Sequence, residues 1–315
     1  MRVMSTRRTF LASSAAAAIP GYGAAEVTDR LIVPLRDVAE REFRSQRGGL
    51  ALATVNGPAL IYASSNAAVA ETLWKPGSTV KPFLLRHLLE RGLLHADDVF
   101  PCPGGALPFA GRRLDCSHAP QGGPLDPATA LALSCNHCFL HWAARLERDP
   151  RGRKAFAETL RRAGFSLRQV FGRDCAAAEV RDPVSREEML LQALGEADVL
   201  TTPLTLLKAY GEFLAPMRIA NAASPIITVQ EAMRDCVRAG TGVEAQVKGL
   251  DLGGKTGTST SANRQSLNGW MISFWPAAKP LYVLVVFLEN GRGGAEAAPI
   301  AGAAWRSLQR ARALL

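Results

Sequence analysis

Ser78 and Lys81 stand three residues apart behind a Pro76-Gly77 turn, a spacing that can make a nucleophile. An apolar run at helical spacing follows, Val80, Phe83, Leu84, Leu88 and Leu89, so a helix is predicted to about Leu94. Ser78 then sits at the helix N-terminus, and Lys81 lies one turn on, on the same face. A serine hydroxyl is a weak nucleophile at its free pKa and needs a nearby base and donors for the oxyanion that forms. A lysine desolvated beside it can be that base, because burial lowers its pKa. The N–H groups of the helix start favour the negative charge. Ser78/Lys81 is the one Ser-x-x-Lys in a chain with seven lysines. Alone, such a pair is more often a capped helix with a solvated lysine than a catalytic pair.

Two further motifs change that balance. Ser134-Cys135-Asn136 precedes a helical run with Phe139, Leu140, Trp142 and Ala143. Ser-x-Asn is a weak pattern, since it recurs at Ser64, Ser261 and Ser266, but Ser134 alone falls at a helix start between the other two motifs. Lys255-Thr256-Gly257 occurs once, in a stretch that reads as a strand entered from a turn. The ordered triple, Ser-x-x-Lys then Ser-x-Asn then Lys-Thr-Gly, is far more specific than any member.

The elements that must bring these motifs together follow from periodicity. Residues 34–47 read as an amphipathic helix ended by Gly48-Gly49. Leu50–Val55 and Ala59–Ala63 are strand-like segments around Asn56-Gly57-Pro58, a hairpin signal. Residues 97–124 are loop-like, and Asp126-Pro127 starts a helix. Charged helical segments occupy roughly 151–171, with further helices at 187–194, after Thr202-Pro203, and at 229–238. Leu267–Trp275 and Leu281–Glu289 are strands, and 300–315 is a C-terminal helix. Strands near both ends with helices between predict an α+β fold. An antiparallel sheet is built from N- and C-terminal strands and flanked by helices, with an all-helical subdomain inserted at roughly 95–245.

Composition narrows the class. At 315 residues, 48% hydrophobic and 21% charged, the chain can bury a large core. A formal charge of +9 comes from scattered, mostly arginine residues without aromatic interleaving, which argues against nucleic acid. Ser5-Thr6-Arg7-Arg8-Thr9-Phe10-Leu11 and the mild apolar run to Ile19 resemble a twin-arginine export signal over residues 1–25, cleaved after Ala25. Residues 26–47 then form an N-terminal helix, 48–315 the functional domain, and the protein is expected outside the cytoplasm, in the periplasm or against the inner membrane. Six cysteines in an exported chain suggest disulfides, with Cys102–Cys116 the favoured pair. A Cys135-x-x-Cys138 disulfide is awkward at helical spacing. A metal grouping of Cys135, Cys138 and His141, with Cys116 and His118 as further candidates, lacks a second tight ligand pair, so no metal or cofactor is expected.

On these motifs the chain resembles the transpeptidase domain of penicillin-binding proteins, a relative of the serine β-lactamases. The likeness covers roughly 48–310 and includes Pro76–Pro82, Leu200-Thr201-Thr202-Pro203-Leu204 with Ala209-Tyr210, and Gly254–Ser259 with Asn268-Gly269-Trp270 and Glu289-Asn290-Gly291. The resemblance implies that Ser78 attacks a D-Ala-D-Ala peptide bond to form an acyl-enzyme, with Lys81 taking its proton. Ser134 would relay a proton to the leaving amine, and Asn136 would hold the substrate amide. Lys255 would set the field near Ser134, and Thr256 and Thr258 would bind the terminal carboxylate, with Gly257 between them. The N–H groups of Ser78 and Thr258 would form the oxyanion hole. β-Lactams would acylate Ser78. No glycosyltransferase or pedestal domain precedes the matched region, so a separate glycan polymerase or cell-wall complex is the expected partner. D,D-carboxypeptidase, serine β-lactamase and a catalytically silent peptidoglycan- or β-lactam-binding module are the alternatives. For the lactamase, Glu187 or Glu188 would be the base that activates deacylating water.

Overall fold

The computed structural model of the chain describes residues 24–64, 69–116, 118, 123–219, 225–261 and 265–314. The expected export signal lies outside these residues, except that helix α1 (Ala24–Glu42) begins at Ala24. This helix starts ten residues earlier than the periodicity suggests, with Pro34 inside it. Leu31, Leu35, Val38 and Ala39 form the buried stripe that holds it. The hairpin of β1 (Gly48–Thr54) and β2 (Leu60–Ala63) follows, its turn helped by Gly57 at φ +61°. A short 3₁₀ turn, Gly77–Val80, leads into α2 (Lys81–Glu90). That helix stops before Leu94 because Gly92 takes a left-handed conformation, φ +63°.

The inserted region carries β3 (Pro108–Phe109), β4 (Arg112–Arg113), α3 (Pro127–Ala132), α4 (Asn136–Ala143) and α5 (Ala155–Arg162). It continues through β5 (Gln169–Val170), β6 (Arg173–Asp174), β7 (Glu179–Val180), α6 (Arg186–Ala193), β8 (Val199–Leu200), α7 (Pro203–Leu214) and α8 (Pro225–Arg238). To the helices expected here the structure adds three two-residue ladders, β3–β4, β5–β6 and β7–β8. The charged stretch 151–171 supplies only one short α-helix, since Gly164 at φ +91° ends α5.

The chain returns to the sheet with β9 (Gly253–Thr260), β10 (Leu267–Trp275) and β11 (Tyr282–Leu288), and closes with α9 (Ala298–Arg310). The sheet is antiparallel in the order β2-β1-β11-β10-β9, so the two ends of the domain meet where β1 pairs with β11. Both faces are covered, which is why these strands read as nearly continuous apolar runs. Leu50, Leu52, Met271, Leu284 and Val286 face a layer with α1 and α9 that surrounds Trp305. Ala51, Ala53, Ile272, Val283, Val285 and Phe287 face the inserted helices.

Three features fix the start of α2. Its body is buried from Pro82 to Leu85, with Phe83 packed on Phe165, Tyr210 and Phe213. The Tyr210 hydroxyl on α7 donates to the Thr79 carbonyl at 2.6 Å. The Thr202 side chain caps α7, and Thr201 exchanges two backbone hydrogen bonds of 2.9 Å with Trp74, just ahead of the Ser78 turn. Tyr210→Phe, which keeps the ring and removes the bond, is expected to cost about 1 kcal/mol. Thermal unfolding would show it as a midpoint lowered by roughly 2–4 °C with unchanged helix content.

Candidate active site

Ser78 is presented on a tight corner. Gly77 holds φ +54° and donates its N–H to the Gly195 carbonyl at 3.1 Å. A Cβ there would lie 2.6 Å from the Thr258 carbonyl oxygen, so only glycine lets the turn approach strand β9. Ser78 is half-buried, and among the described residues its hydroxyl makes no hydrogen bond. Lys81, the first residue of α2, is fully buried. Its Nζ donates to the Ser134 carbonyl at 2.8 Å and to Asn136 Oδ1 at 2.6 Å, lies 3.4 Å from Ser134 Oγ, and sits 5.0 Å from the centroid of the Phe139 ring. Burial, and then repulsion from Lys255, lower its pKa to about 7. A neutral amine can use its two N–H bonds on the carbonyl and the carboxamide and keep its lone pair for a proton.

Ser134 occupies the corner between α3 and α4. It is not glycine, yet φ is +54°, a conformation that costs about 1–3 kcal/mol. Capping holds the corner. Asp126 accepts the Thr129 N–H at the start of α3, and Cys135 Sγ accepts the Cys138 N–H at the start of α4. The left-handed backbone turns both the carbonyl and the hydroxyl of Ser134 toward Lys81. Asn136 was expected to hold a substrate amide. In the structure its Oδ1 serves Lys81, while Nδ2 donates to the Leu114 carbonyl at 2.8 Å.

Strand β9 supplies the third wall, at the edge of the sheet. Lys255 is fully buried, and its Nζ donates to Ser134 Oγ at 2.8 Å and to the Thr256 carbonyl at 2.9 Å. Burial lowers its pKa to about 8. Thr256 Oγ1 lies 2.5 Å from Thr241 Oγ1, and Thr258 Oγ1 accepts the Gly293 N–H at 3.1 Å. The Thr258 carbonyl faces Gly77 from the outer edge of β9, and in a strand the N–H of the same residue points to the same edge. Gly257 is another close approach, since a Cβ would fall 2.6 Å from Thr79 Cγ2. The three motifs thus converge, and two ammonium groups share the Ser134 hydroxyl. Neither makes an ion pair with a carboxylate among the described residues.

Behind the Ser134–Asn136 corner lies a cluster that shares Cys116, His118 and Cys135 with the metal grouping weighed from sequence and adds Cys102. All six cysteines are free. Cys102 and Cys116, the favoured disulfide, have sulfurs 3.9 Å apart, far beyond the ~2.05 Å of an S–S bond. Instead Cys102, Cys116 and Cys135 bring their sulfurs to 3.9, 3.7 and 3.2 Å of one another, with His118 Nε2 3.9 Å from Cys102 Sγ. Ligand atoms of these four residues all lie within 4.8 Å. Sulfurs around tetrahedral zinc, bound at ~2.3 Å, stand about 3.8 Å apart, so the donor set and its spacing suit zinc. The grouping considered from sequence fails on two members. Cys138 lends its N–H to Cys135, and His141 stacks on Phe100 at 4.3 Å. Cys116 and His118 stood among the sequence candidates beside Cys135; Cys102 joins them because the Gly/Pro-rich loop between Cys102 and Cys116 brings both thiols to the helix start that carries Cys135.

Residues 45–306 match the penicillin binding protein transpeptidase domain, and the chain belongs to that family. Among curated relatives, it is 24% identical over 291 residues to the peptidoglycan D,D-transpeptidase MrdA of Acinetobacter baumannii. The alignment covers 75% of this chain but only 42% of that protein, so the chain spans about two fifths of its relative's length. The fold is that of the transpeptidase domain of Burkholderia pseudomallei penicillin-binding protein 3, with a TM-score of 0.75 at 18% identity over 92% of this chain and 95% of that one. It is equally similar to a chain in the complex between penicillin-binding protein PBP2 and MreC from Helicobacter pylori, with a TM-score of 0.74 at 19% identity over 88% and 62% of the two chains.

The cysteine–histidine cluster has its own expected behaviour. Protein purified without chelator should carry about one zinc per chain by elemental analysis, and Cys116→Ser should lower that content. At zinc a thousandfold above its dissociation constant the folded state gains about 4 kcal/mol, so chelation should depress the thermal midpoint.

Proposed function

We propose that the protein is an exported, penicillin-binding D,D-transpeptidase that acts on D-Ala-D-Ala stem peptides of peptidoglycan through a serine acyl-enzyme. The observation that carries this is the convergence of Lys81, Ser134 and Lys255 through one hydroxyl, beside a Ser78 held against the edge of β9. Ser78 Oγ attacks the carbonyl of the penultimate D-Ala. Neutral Lys81 takes its proton, and Ser134, between two amines, passes a proton to the departing D-Ala nitrogen. The N–H groups of Ser78 and Thr258 receive the oxyanion, and each such donor is worth about 10²–10³ in rate. Lys255, Thr256 and Thr258 attract the terminal carboxylate. Asn136 Oδ1 orients Lys81 and keeps its second lone pair for the substrate amide N–H.

Transpeptidase is favoured over β-lactamase. A β-lactamase needs a base for deacylating water, and the two sequence candidates serve α6 instead. Glu188 accepts the Val184 N–H at 2.7 Å, and Glu187 is exposed on the helix. Export is supported by the Arg7-Arg8 segment. A separate glycan polymerase or cell-wall complex is the proposed partner, supported by likeness to a chain in the complex between PBP2 and MreC.

Intact-mass spectra after incubation with a penicillin should show a persistent adduct, and Ser78→Ala should abolish it. An adduct retained by Ser78→Ala, or one that turns over rapidly, would contradict this function. The acylation rate should also rise through about pH 7 and level off above it, because Lys81 must be neutral to act as base and its pKa is about 7. Lys255→Gln removes a neighbouring positive charge, which favours the protonated form of Lys81. Its acidic limb should therefore move to higher pH, a shift that stopped-flow acylation across pH 5–9 would reveal.

A further inference from the structure

Glu196 has no part in the three motifs, yet it is a buried carboxylate, 6% exposed, beside the site. Its Oε2 accepts the Thr260 hydroxyl at 2.7 Å, and Oε1 accepts the Thr260 N–H at 3.3 Å. Arg112, on β4, donates to the Glu196 carbonyl at 2.8 Å and lies 3.5 Å from the carboxylate. Lys75, just ahead of the Ser78 turn, donates to Thr260 Oγ1 at 3.1 Å. Gly195, the preceding residue, accepts the Gly77 N–H. A Cβ on Gly195 would meet the Gly77 oxygen at 2.2 Å, so the two segments are pressed together.

These contacts form one spacer. Alternate residues of a strand offer their N–H groups to the same edge, so the Thr260 N–H lies on the outer edge of β9, one step beyond that of Thr258. Glu196 fills the Thr260 position while Gly195 holds Gly77, and the interval between them is a single peptide unit. The separation between the Ser78 turn and the Thr258 N–H is thereby fixed from one side. We propose that Glu196 is a positioning residue for the acylation step, setting the gap between the two oxyanion donors by tying the edge of β9 to the Ser78 turn. This presupposes the acyl-enzyme chemistry proposed above. Burial raises the Glu196 pKa, opposed by the Thr260 bonds. In a glutamine of the same shape the single amide oxygen, placed where Oε2 lies 2.7 Å from the Thr260 hydroxyl and 3.5 Å from its N–H, can still accept from both groups.

The test is the concentration dependence of acylation by a fluorescent penicillin, which separates the non-covalent dissociation constant from the limiting acylation rate. Glu196→Ala should lower the limiting rate about 10- to 100-fold, the scale of a misplacement near 1 Å. The dissociation constant should change by less than about threefold, since the ground state makes no new use of the oxyanion donors. Glu196→Gln should restore most of the rate. Thr260→Val, which keeps the shape and removes the hydroxyl, should reproduce part of the loss. A wild-type rate in Glu196→Ala, an equal loss in Glu196→Gln, or a loss confined to the dissociation constant would overturn the proposal. Should the alanine variant fail to fold, Thr260→Val decides alone, a wild-type limiting rate counting against the spacer. Failure of the wild-type protein to be labelled would instead overturn the acyl-enzyme function itself.

Discussion

Everything at this site depends on burying two lysine ammonium groups around one serine hydroxyl. Charges taken out of water need partners, and an ion pair would be the usual solution. Here the partners are neutral: the Ser134 carbonyl, the Asn136 carboxamide, the Thr256 carbonyl and the Ser134 hydroxyl. Neutral acceptors solvate an amine without stabilising its charge as strongly as a carboxylate would. Both lysines therefore drift toward neutrality, Lys81 the further because Lys255 repels it. A carboxylate in this cleft would hold Lys81 protonated and useless as a base. It would also repel an anionic substrate terminus. The same omission thus serves the proposed base and the proposed carboxylate pocket.

Such a site has to be built by the rest of the chain, because two buried amines resist being brought together. The sheet does most of this. Its centre is covered on both faces, so β9 is rigid along its inner edge and open along its outer one. The Ser78 turn is then pressed onto that open edge at contacts that exclude any Cβ, at Gly77 and Gly257. Lys75 ties the turn to the sheet, its carbonyl accepting Ser259 Oγ at 2.7 Å and Trp270 Nε1 at 3.0 Å. Tyr210 and the Trp74–Thr201 bridge hold it from the insert. Sub-ångström placement follows from stiff packing, which suits chemistry in which donors must lie near 3 Å from a developing charge.

Local pattern carried the motifs and most of the elements. Ser78 and Lys81 were legible because a Pro-Gly turn and an apolar stripe agree there. Lys255 was legible because the period changes from helix to strand in the last third. That one antiparallel sheet joins the two ends of the domain followed from strands lying at both ends. What escaped was set by contact rather than by period. Nothing near Gly195-Glu196 marks it in one dimension, since its partners lie 64 residues on at Thr260 and at Gly77. The Cys102–Cys116 pairing was misjudged for a similar reason. Two thiols flanking a loop look like a disulfide until Cys135 and His118 arrive from elsewhere to share the space. The long charged stretch 151–171 read as helix because charge patterning hides the glycine stop at Gly164.

Cys135 ties that cluster to the chemistry. It lies between Ser134 and Asn136, the two residues that hold Lys81, and its own side chain points the other way, toward Cys102 and Cys116. The Asn136 backbone N–H donates to Cys116 Sγ at 3.3 Å, and its side chain donates to the Leu114 carbonyl two residues earlier. The second motif is therefore clamped from behind by the same loop that carries the thiols. A strained Ser134 backbone persists only where its surroundings over-determine it. Those surroundings are the capping bond of α4 through Cys135 and the contacts of Cys116, both made by sulfur. Whatever state the sulfurs take, the position of the Ser134 hydroxyl between the two amines must follow it. In this chain the geometry of the proposed proton relay is thus inseparable from the chemistry of three cysteines that never touch the cleft.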